Sequence, residues 1–147
     1  MTGVFEVNSV EETWALARQF AAELKPGDVV CLEGDLGAGK TTFTQGLAAA
    51  LGVAGRVTSP TFCLVQEHRR VGKWVSGKVP LLLVHMDLYR LRGEDDVLAI
   101  GWEDYLAEGA ILVVEWPERA GSLIPPTAKH VVFTHLDGHE RRRLEFA

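Results

Sequence analysis

The amino-acid sequence predicts an α/β three-layer sandwich whose sheet is mixed and mainly parallel, with an antiparallel hairpin at the C-terminal end. Three short, mostly apolar runs at residues 29–32, 81–87 and 111–115 have the composition of strands that are buried on both faces. Helical patterns separate these runs, and this alternation is typical of parallel strands covered by helices. Ligands bind beyond the carboxyl ends of such strands, so the residues that follow each run are the first candidates for a site.

Sequence patterns typical of helices occur before the first predicted strand and between the strands. Ser9 and Glu12 have the S-x-x-E spacing of a capping box. The apolar residues that follow at helical spacing predict the first helix, and they are Trp14, Ala17, Ala21 and Leu24. A second helix is expected from about Thr41 to Leu51, with Gly52 as its C-terminal stop.

Shorter elements complete the predicted sandwich. They are a strand at residues 62–66, an exposed hairpin tip at 69–77, two short helices at 94–100 and 102–106, and hairpin strands at 131–134 and 142–146. Asp137-Gly138 is the expected turn of that last hairpin.

Composition indicates one folded domain over residues 1–147, since 47% of the residues are apolar and 24% are charged. The net charge of −5 gives no broad basic surface for nucleic acid or anionic membrane. The start of the sequence lacks a secretory pattern, and no apolar run approaches the ~20 residues that cross a bilayer, so we expect a cytoplasmic protein without membrane contact. Cys31 and Cys63 are expected to be buried, reduced thiols.

The strongest motif is G-x-x-x-x-G-K-[ST] at residues 34–41, placed after a predicted strand and before a predicted helix. Gly37 and Gly39 allow successive backbone N–H groups to turn inward around phosphate oxygens. Lys40 supplies a cation to the outer phosphates, and the Thr41 hydroxyl follows where it can ligate Mg²⁺. The motif predicts a P-loop NTPase-type sandwich, in which the phosphate-binding residues are Asp35, Leu36, Gly37, Ala38, Gly39, Lys40, Thr41 and Thr42.

Two acids end the later strands, Asp87 and Glu115. A triphosphate site needs an acid that helps to hold the metal and a group that orients the attacking water. The residue types leave open which acid helps to hold the metal and which orients the attacking water. With Lys40, they form the predicted catalytic set.

Three further features have both a functional and a plain structural interpretation. Residues 58–62 contain hydroxyls and a stiff proline where a switch segment would follow the γ-phosphate, or they form an ordinary turn. His85 shares a strand face with Asp87, so it either approaches the site or is a core histidine with satisfied hydrogen bonds, and we favour the core histidine. Arg141, Arg142 and Arg143 predict a solvated face, with an acidic partner or an adenine edge as the alternative.

Four segments, taken in order, resemble the motifs of the bacterial TsaE family. They are GDLGAGKTT at residues 34–42, TSPTF at 58–62, HMDLYRL at 85–91 and EWPE at 115–118. The resemblance implies a P-loop ATPase that acts with the TsaB and TsaD proteins to make threonylcarbamoyladenosine at position 37 of tRNA. It implies ATP and Mg²⁺ as cofactors and tRNA contact only through the complex.

The resemblance also implies individual roles. Lys40 and Thr41 would bind phosphate and Mg²⁺, Glu115 would contribute to the metal site, and Asp87 would be the Walker B-like acid required for hydrolysis. Trp116 would flank the site. Turnover would be slow without the partners, because a contact supplied in trans can be needed to stabilise the transition-state charge.

Other classes of P-loop protein fit the sequence less well. A small-molecule kinase would need an acceptor pocket and an arginine-rich lid, and the sequence offers no inserted segment of that kind. A GTPase switch would need D-x-x-G after the loop and N-K-x-D for guanine, and both are missing. A nucleotide-dependent binding module without turnover stays open, because it differs only in whether hydrolysis occurs.

Overall fold

The computed structural model describes residues 1–35, 37–53, 57, 64–69, 81–138 and 140–147. Within these residues the strands are β1 (Gly3–Val7), β2 (Val29–Glu33), β3 (Val65–Arg69), β4 (Leu81–Asp87), β5 (Ile111–Glu115), β6 (Lys129–His135) and β7 (Arg142–Phe146). The helices are α1 (Val10–Ala21), α2 (Lys40–Leu51), α3 (Glu94–Ala99) and α4 (Trp102–Ala107), and 3₁₀ turns follow at Pro117–Leu123.

The described strands form a single sheet in the order β1-β7-β6-β2-β5-β4-β3. The central strands β6, β2, β5 and β4 are parallel, and antiparallel strands flank them on both sides. The predicted fold class is thereby confirmed, including the C-terminal hairpin of β6 and β7. The N-terminal strand β1 was not predicted, and it extends the sheet by pairing with β7.

Alternate residues of each central strand point to opposite layers. In β2, Val30 and Leu32 pack in a cluster with α1 and α2, whereas Val29 and Cys31 pack in a second cluster with α3, α4 and the 3₁₀ turns. Such two-sided burial explains why these strands are almost continuously apolar in sequence. Burial, followed by the charge of Glu33, raises the pKa of the Cys31 thiol to about 12. Cys63 lies outside the described residues.

Helix α1 begins with the predicted capping box, slightly altered. Ser9 Oγ accepts a hydrogen bond from Glu12 N at 3.1 Å, while the Glu12 carboxylate accepts from Asn8 N. Trp14, which we expected on the buried stripe, is exposed. The buried face of the helix consists of Thr13, Leu16, Ala17, Phe20 and Ala21.

The other predicted elements are found close to their expected bounds. Helix α2 ends at Gly52, which adopts the left-handed conformation of a helix stop. Strands β4 and β5 each end on the predicted acid. The strand predicted at 62–66 is displaced toward the C-terminus as β3, at Val65–Arg69, so Arg69 belongs to this strand and not to a hairpin tip. Residues 58–63 and 70–80 lie outside the described residues. None of the described helices is long and apolar enough to span a membrane.

Gly46 allows α1 and α2 to approach closely. A Cβ placed on it would lie 2.9 Å from Trp14 Cδ1 and 3.0 Å from both Trp14 Cα and Ala17 Cβ. The Trp14 contact includes a backbone atom, so a Cβ at Gly46 could be accommodated only if one of the two helices moved. This packing holds α2 against α1 and therefore influences where the N-terminus of α2 lies.

We expect Gly46→Ala to lower the free energy of unfolding by about 1–2 kcal/mol, because overpacking outweighs the gain of about 1 kcal/mol in helix propensity. Urea denaturation would measure the change. Gly93→Ala is the matched control, since nothing lies within 4 Å of a Cβ at Gly93. An unchanged or higher stability of Gly46→Ala would contradict the close-packing argument.

Candidate functional site

The two strand-end acids lie side by side on one face of the sheet. Strands β4 and β5 are parallel, and their register pairs Asp87 with Glu115. Leu83 and Ile111 occupy the same face earlier in the two strands and pack against α1 and α2. Since side chains alternate along a strand, both acids face the layer that contains α2.

The glycine-rich segment joins β2 to α2 at the same edge. Gly39 precedes the helix with φ of 105°, a left-handed conformation that favours glycine. Ala38 N donates to Asp35 O at 3.0 Å, which forms a turn inside the loop, and the Ala38 side chain is buried in the core. The first N–H groups of α2 have no partner within the helix, so this end is suited to an anion. Leu36 lies outside the described residues.

Lys40 connects the loop to the sheet. Its Nζ donates to the Gly34 carbonyl oxygen at 2.6 Å and lies 3.4 Å from Glu115 Oε1. The Lys40 and Glu115 side chains are only 11% and 8% exposed. The ammonium group is therefore held between the loop backbone and a strand-end carboxylate.

Glu115 has a second basic neighbour in His85. His85 is fully buried, and its Nε2 lies 2.7 Å from Glu115 Oε2. Burial acts to raise the pKa of Glu115, but the hydrogen bond and charge of His85, together with Lys40, outweigh burial and lower that pKa. Glu115 is therefore a carboxylate at neutral pH.

Our interpretation of His85 as a core histidine missed this contact. The residue is buried as expected, yet its hydrogen bond goes to a candidate site residue. The available signal was its spacing from Asp87, which places both residues on one strand face. That signal does not reveal the neighbour, because Glu115 belongs to another strand and the sheet register decides the pairing.

Asp87 is buried and anchored through its backbone and its side chain. Its Oδ1 accepts from Tyr89 N at 3.0 Å, and its own N–H donates to Leu64 O at 2.8 Å. Leu64 has φ of 24°, a positive value that is uncommon for a residue with a side chain. The predicted switch segment at 58–62 lies outside the described residues, but the chain that leaves it is hydrogen-bonded to Asp87.

A cavity of about 870 Å³ brings the candidate residues together. From the sequence prediction it contains Asp35, Gly37, Gly39, Lys40, Thr41, Thr42, Asp87 and Glu115. It is also lined by Leu32, Glu33, Gly34, Tyr89, Trp116, Pro117, Glu118 and Arg142. Tyr89 and Trp116 are 55% and 39% exposed, with ring centroids 4.8 Å apart, so they form an aromatic edge to the cavity.

Arg142 belongs to this cavity, whereas its neighbour does not. It shares the face of β7 that buries Leu144 and Phe146, and its Cγ would lie 3.8 Å from a Cβ on Gly39. Arg143 points to the other side, where it is exposed and lies 3.9 Å from Glu6 Oε1. Of the two interpretations of the basic run, the solvated face holds for Arg141 and Arg143, whereas Arg142 lines the cavity, because strand alternation separates the members of the run.

The donor set fits a nucleotide with a magnesium ion. Lys40 and Arg142 supply positive charge, and the Thr41 hydroxyl and the two carboxylates supply the hard oxygen ligands that Mg²⁺ prefers. Among the described residues, no cluster of three or more His, Cys, Asp or Glu side chains could hold a metal by itself. A magnesium ion here would need water or phosphate oxygens as well, which is usual for Mg²⁺.

Comparison with known proteins identifies the family of this chain. Residues 7–144 match the family model described as "Threonylcarbamoyl adenosine biosynthesis protein TsaE". The tRNA threonylcarbamoyladenosine biosynthesis protein TsaE of Bacillus subtilis is 41% identical over 131 residues, covering 89% of this chain and 77% of that protein. The protein of the same name from Nostoc is 37% identical over 145 residues, covering 97% and 83%.

A solved structure supports the same assignment. The crystal structure of YdiB from Bacillus subtilis superposes with a TM-score of 0.73 at 34% sequence identity, and the match covers 99% of this chain and 84% of that one. The family-model match, at residues 7–144, extends through the glycine-rich segment, both strand-end acids and the hairpin that carries Arg142. The chain therefore belongs to the TsaE family.

Proposed function

We propose that this protein binds and hydrolyses ATP with Mg²⁺ as the P-loop ATPase of tRNA threonylcarbamoyladenosine synthesis. The observation that carries the proposal is the convergence on one cavity of Lys40, Glu115 and Asp87. Family membership supports the pathway, and this geometry supports the nucleotide chemistry.

Binding would begin at the loop. The N–H groups at the start of α2 receive the phosphates, and Lys40 exchanges its contact with Gly34 O for the outer phosphate oxygens. The Thr41 hydroxyl and Glu115 would hold Mg²⁺, and the ion would supply positive charge to neutralise the terminal phosphoryl group. Asp87, beside Glu115 in the register, is the acid required for hydrolysis. The products are ADP and phosphate.

We further propose that TsaB and TsaD are the partners and that tRNA is reached through them. The net charge of −5 disfavours direct binding of a polyanion by a broad surface. Charge for a nucleotide is instead supplied inside the cavity by Lys40 and Arg142. ATP binding and hydrolysis would favour different arrangements of the segments that follow Asp87 and Glu115, and a partner would distinguish them.

Lys40→Ala is expected to weaken ATP binding by at least about 100-fold, because a cation at the phosphates is lost. Asp87→Ala and Glu115→Ala should keep ATP affinity within about tenfold and lose hydrolysis, since their roles concern metal and water. Titration with a fluorescent ATP analogue and a phosphate-release assay measure the two properties. Full turnover in both acid variants would refute the assigned roles.

The same assay separates the alternatives. Release of inorganic phosphate without an acceptor supports an ATPase, whereas transfer to a metabolite would indicate a small-molecule kinase. Tight binding of ATP without release of inorganic phosphate, even with TsaB and TsaD present, would indicate a nucleotide-dependent binding module. Competition by GTP as strong as by ATP would argue against adenine selectivity.

Arg142 offers a sharper test because its neighbour is a matched control. Arg142→Ala should weaken ATP binding about tenfold through loss of a cation at the cavity, whereas Arg143→Ala should stay within about twofold. The variants remove the same side chain from adjacent residues on opposite faces of β7. Equal effects of both would contradict a direct role for Arg142, and isothermal calorimetry would show the difference.

The partner proposal predicts a nucleotide-dependent complex. Purified TsaB and TsaD should retain this protein in a pull-down with ATP, and retention should fall in its absence. Lys40→Ala is the control, because it should lose the response to ATP. Lack of any complex under both conditions would contradict the proposed partnership and leave the nucleotide chemistry untouched.

A further inference from the structure

Strand register brings His85 next to Glu115. In the pairing of β4 with β5, His85 stands opposite Val113, and Asp87 stands opposite Glu115. His85 is therefore the diagonal neighbour of Glu115, on the face that carries both acids. From this position its imidazole reaches the carboxylate from within the core, behind the cavity.

The Glu115 carboxylate has a different partner for each oxygen. Oε2 accepts from His85 Nε2 at 2.7 Å, and Oε1 lies 3.4 Å from Lys40 Nζ. Two contacts on opposite oxygens fix the rotation of the carboxylate plane. Oε1 is the oxygen on the side of the loop, because Lys40 also touches Gly34 O there.

The imidazole is oriented by this contact. His85 Nδ1 is buried and forms no hydrogen bond within the part of the chain that the structure describes. A histidine retained only for packing would be expected to satisfy both ring nitrogens, since a buried polar atom without a partner is costly. The Glu115 contact is the polar interaction that accounts for a histidine at this core position.

We propose that His85 is a positioning residue that holds the Glu115 carboxylate so that Oε1 faces the phosphate end of the cavity. The inference rests on the proposed function, in which Lys40 turns to the phosphates. When Lys40 Nζ moves from Glu115 to the phosphates, His85 is the remaining side-chain contact of Glu115 among the described residues. The carboxylate would then keep its orientation for Mg²⁺ during the reaction.

Two polar variants of equal charge separate positioning from packing. In His85→Gln the amide nitrogen can take the place of Nε2 and donate to Glu115. In His85→Asn the amide nitrogen takes the place of Nδ1, and the side chain is too short to reach Glu115. We expect His85→Asn to lower kcat about 10–100-fold and to reduce the Mg²⁺ enhancement of ATP affinity by about three- to fivefold, which is less than the tenfold allowed for loss of Glu115 itself. His85→Gln should stay within about fivefold of the native kcat and about twofold of the native Mg²⁺ enhancement. ATP affinity in EDTA should change less than about threefold in both.

His68→Asn is the control, since His68 is the other buried histidine among the described residues and lies near enough to His85 for their charges to interact, while the groups that act on Glu115 are His85 and Lys40. It should leave kcat and the Mg²⁺ enhancement within about twofold of the native values. Thermal unfolding of all three variants reports any loss of packing separately from the kinetic changes.

The outcomes distinguish this inference from the proposed function. If the native protein neither binds nor hydrolyses ATP with its partners, the proposed function fails. If it does, and His85→Asn equals the native protein in kcat and Mg²⁺ enhancement, only the positioning role is overturned. Equal losses in His85→Gln and His85→Asn would overturn it as well, because a packing defect would then suffice.

Discussion

A buried carboxylate held between two basic side chains is the interaction on which the site depends. Removing an unpaired carboxylate from water costs several kcal/mol, so Glu115 requires partners at its position. Lys40 and His85 supply them from different elements, the start of α2 and the middle of β4. The contacts join the glycine-rich loop to the sheet, and they lower the pKa of Glu115 despite its burial.

The same interactions explain how an acidic protein can receive an anion. The chain carries a net charge of −5, yet its cavity contains Lys40, Arg142 and the N-terminus of α2. These groups place positive charge inside a cavity of about 870 Å³. An exposed aromatic pair, Tyr89 and Trp116, follows the two acids by one or two residues, so a molecule seated on these rings would lie next to Asp87 and Glu115.

Local patterns predicted the elements whose signals lie within a few residues. The capping box at Ser9, the stop at Gly52 and the two acid-ended strands are each specified by neighbours in sequence. Strand β1 escaped prediction because its pairing partner lies at the opposite end of the chain. Of the predicted helical stripe, Ala17 and Ala21 are buried, whereas Trp14 lies at the edge of the contact between α1 and α2, next to Gly46, and stays exposed.

The sequence by itself determined the glycine-rich loop, the two acids and the class of fold, because glycine geometry and apolar runs act over short distances. Only the tertiary structure decided which residues meet. The register of β4 against β5 brings His85 and Asp87 to Glu115, and strand alternation directs Arg142, but not Arg143, into the cavity. These pairings depend on contacts between segments far apart in the chain, and a local pattern of residues does not encode their register.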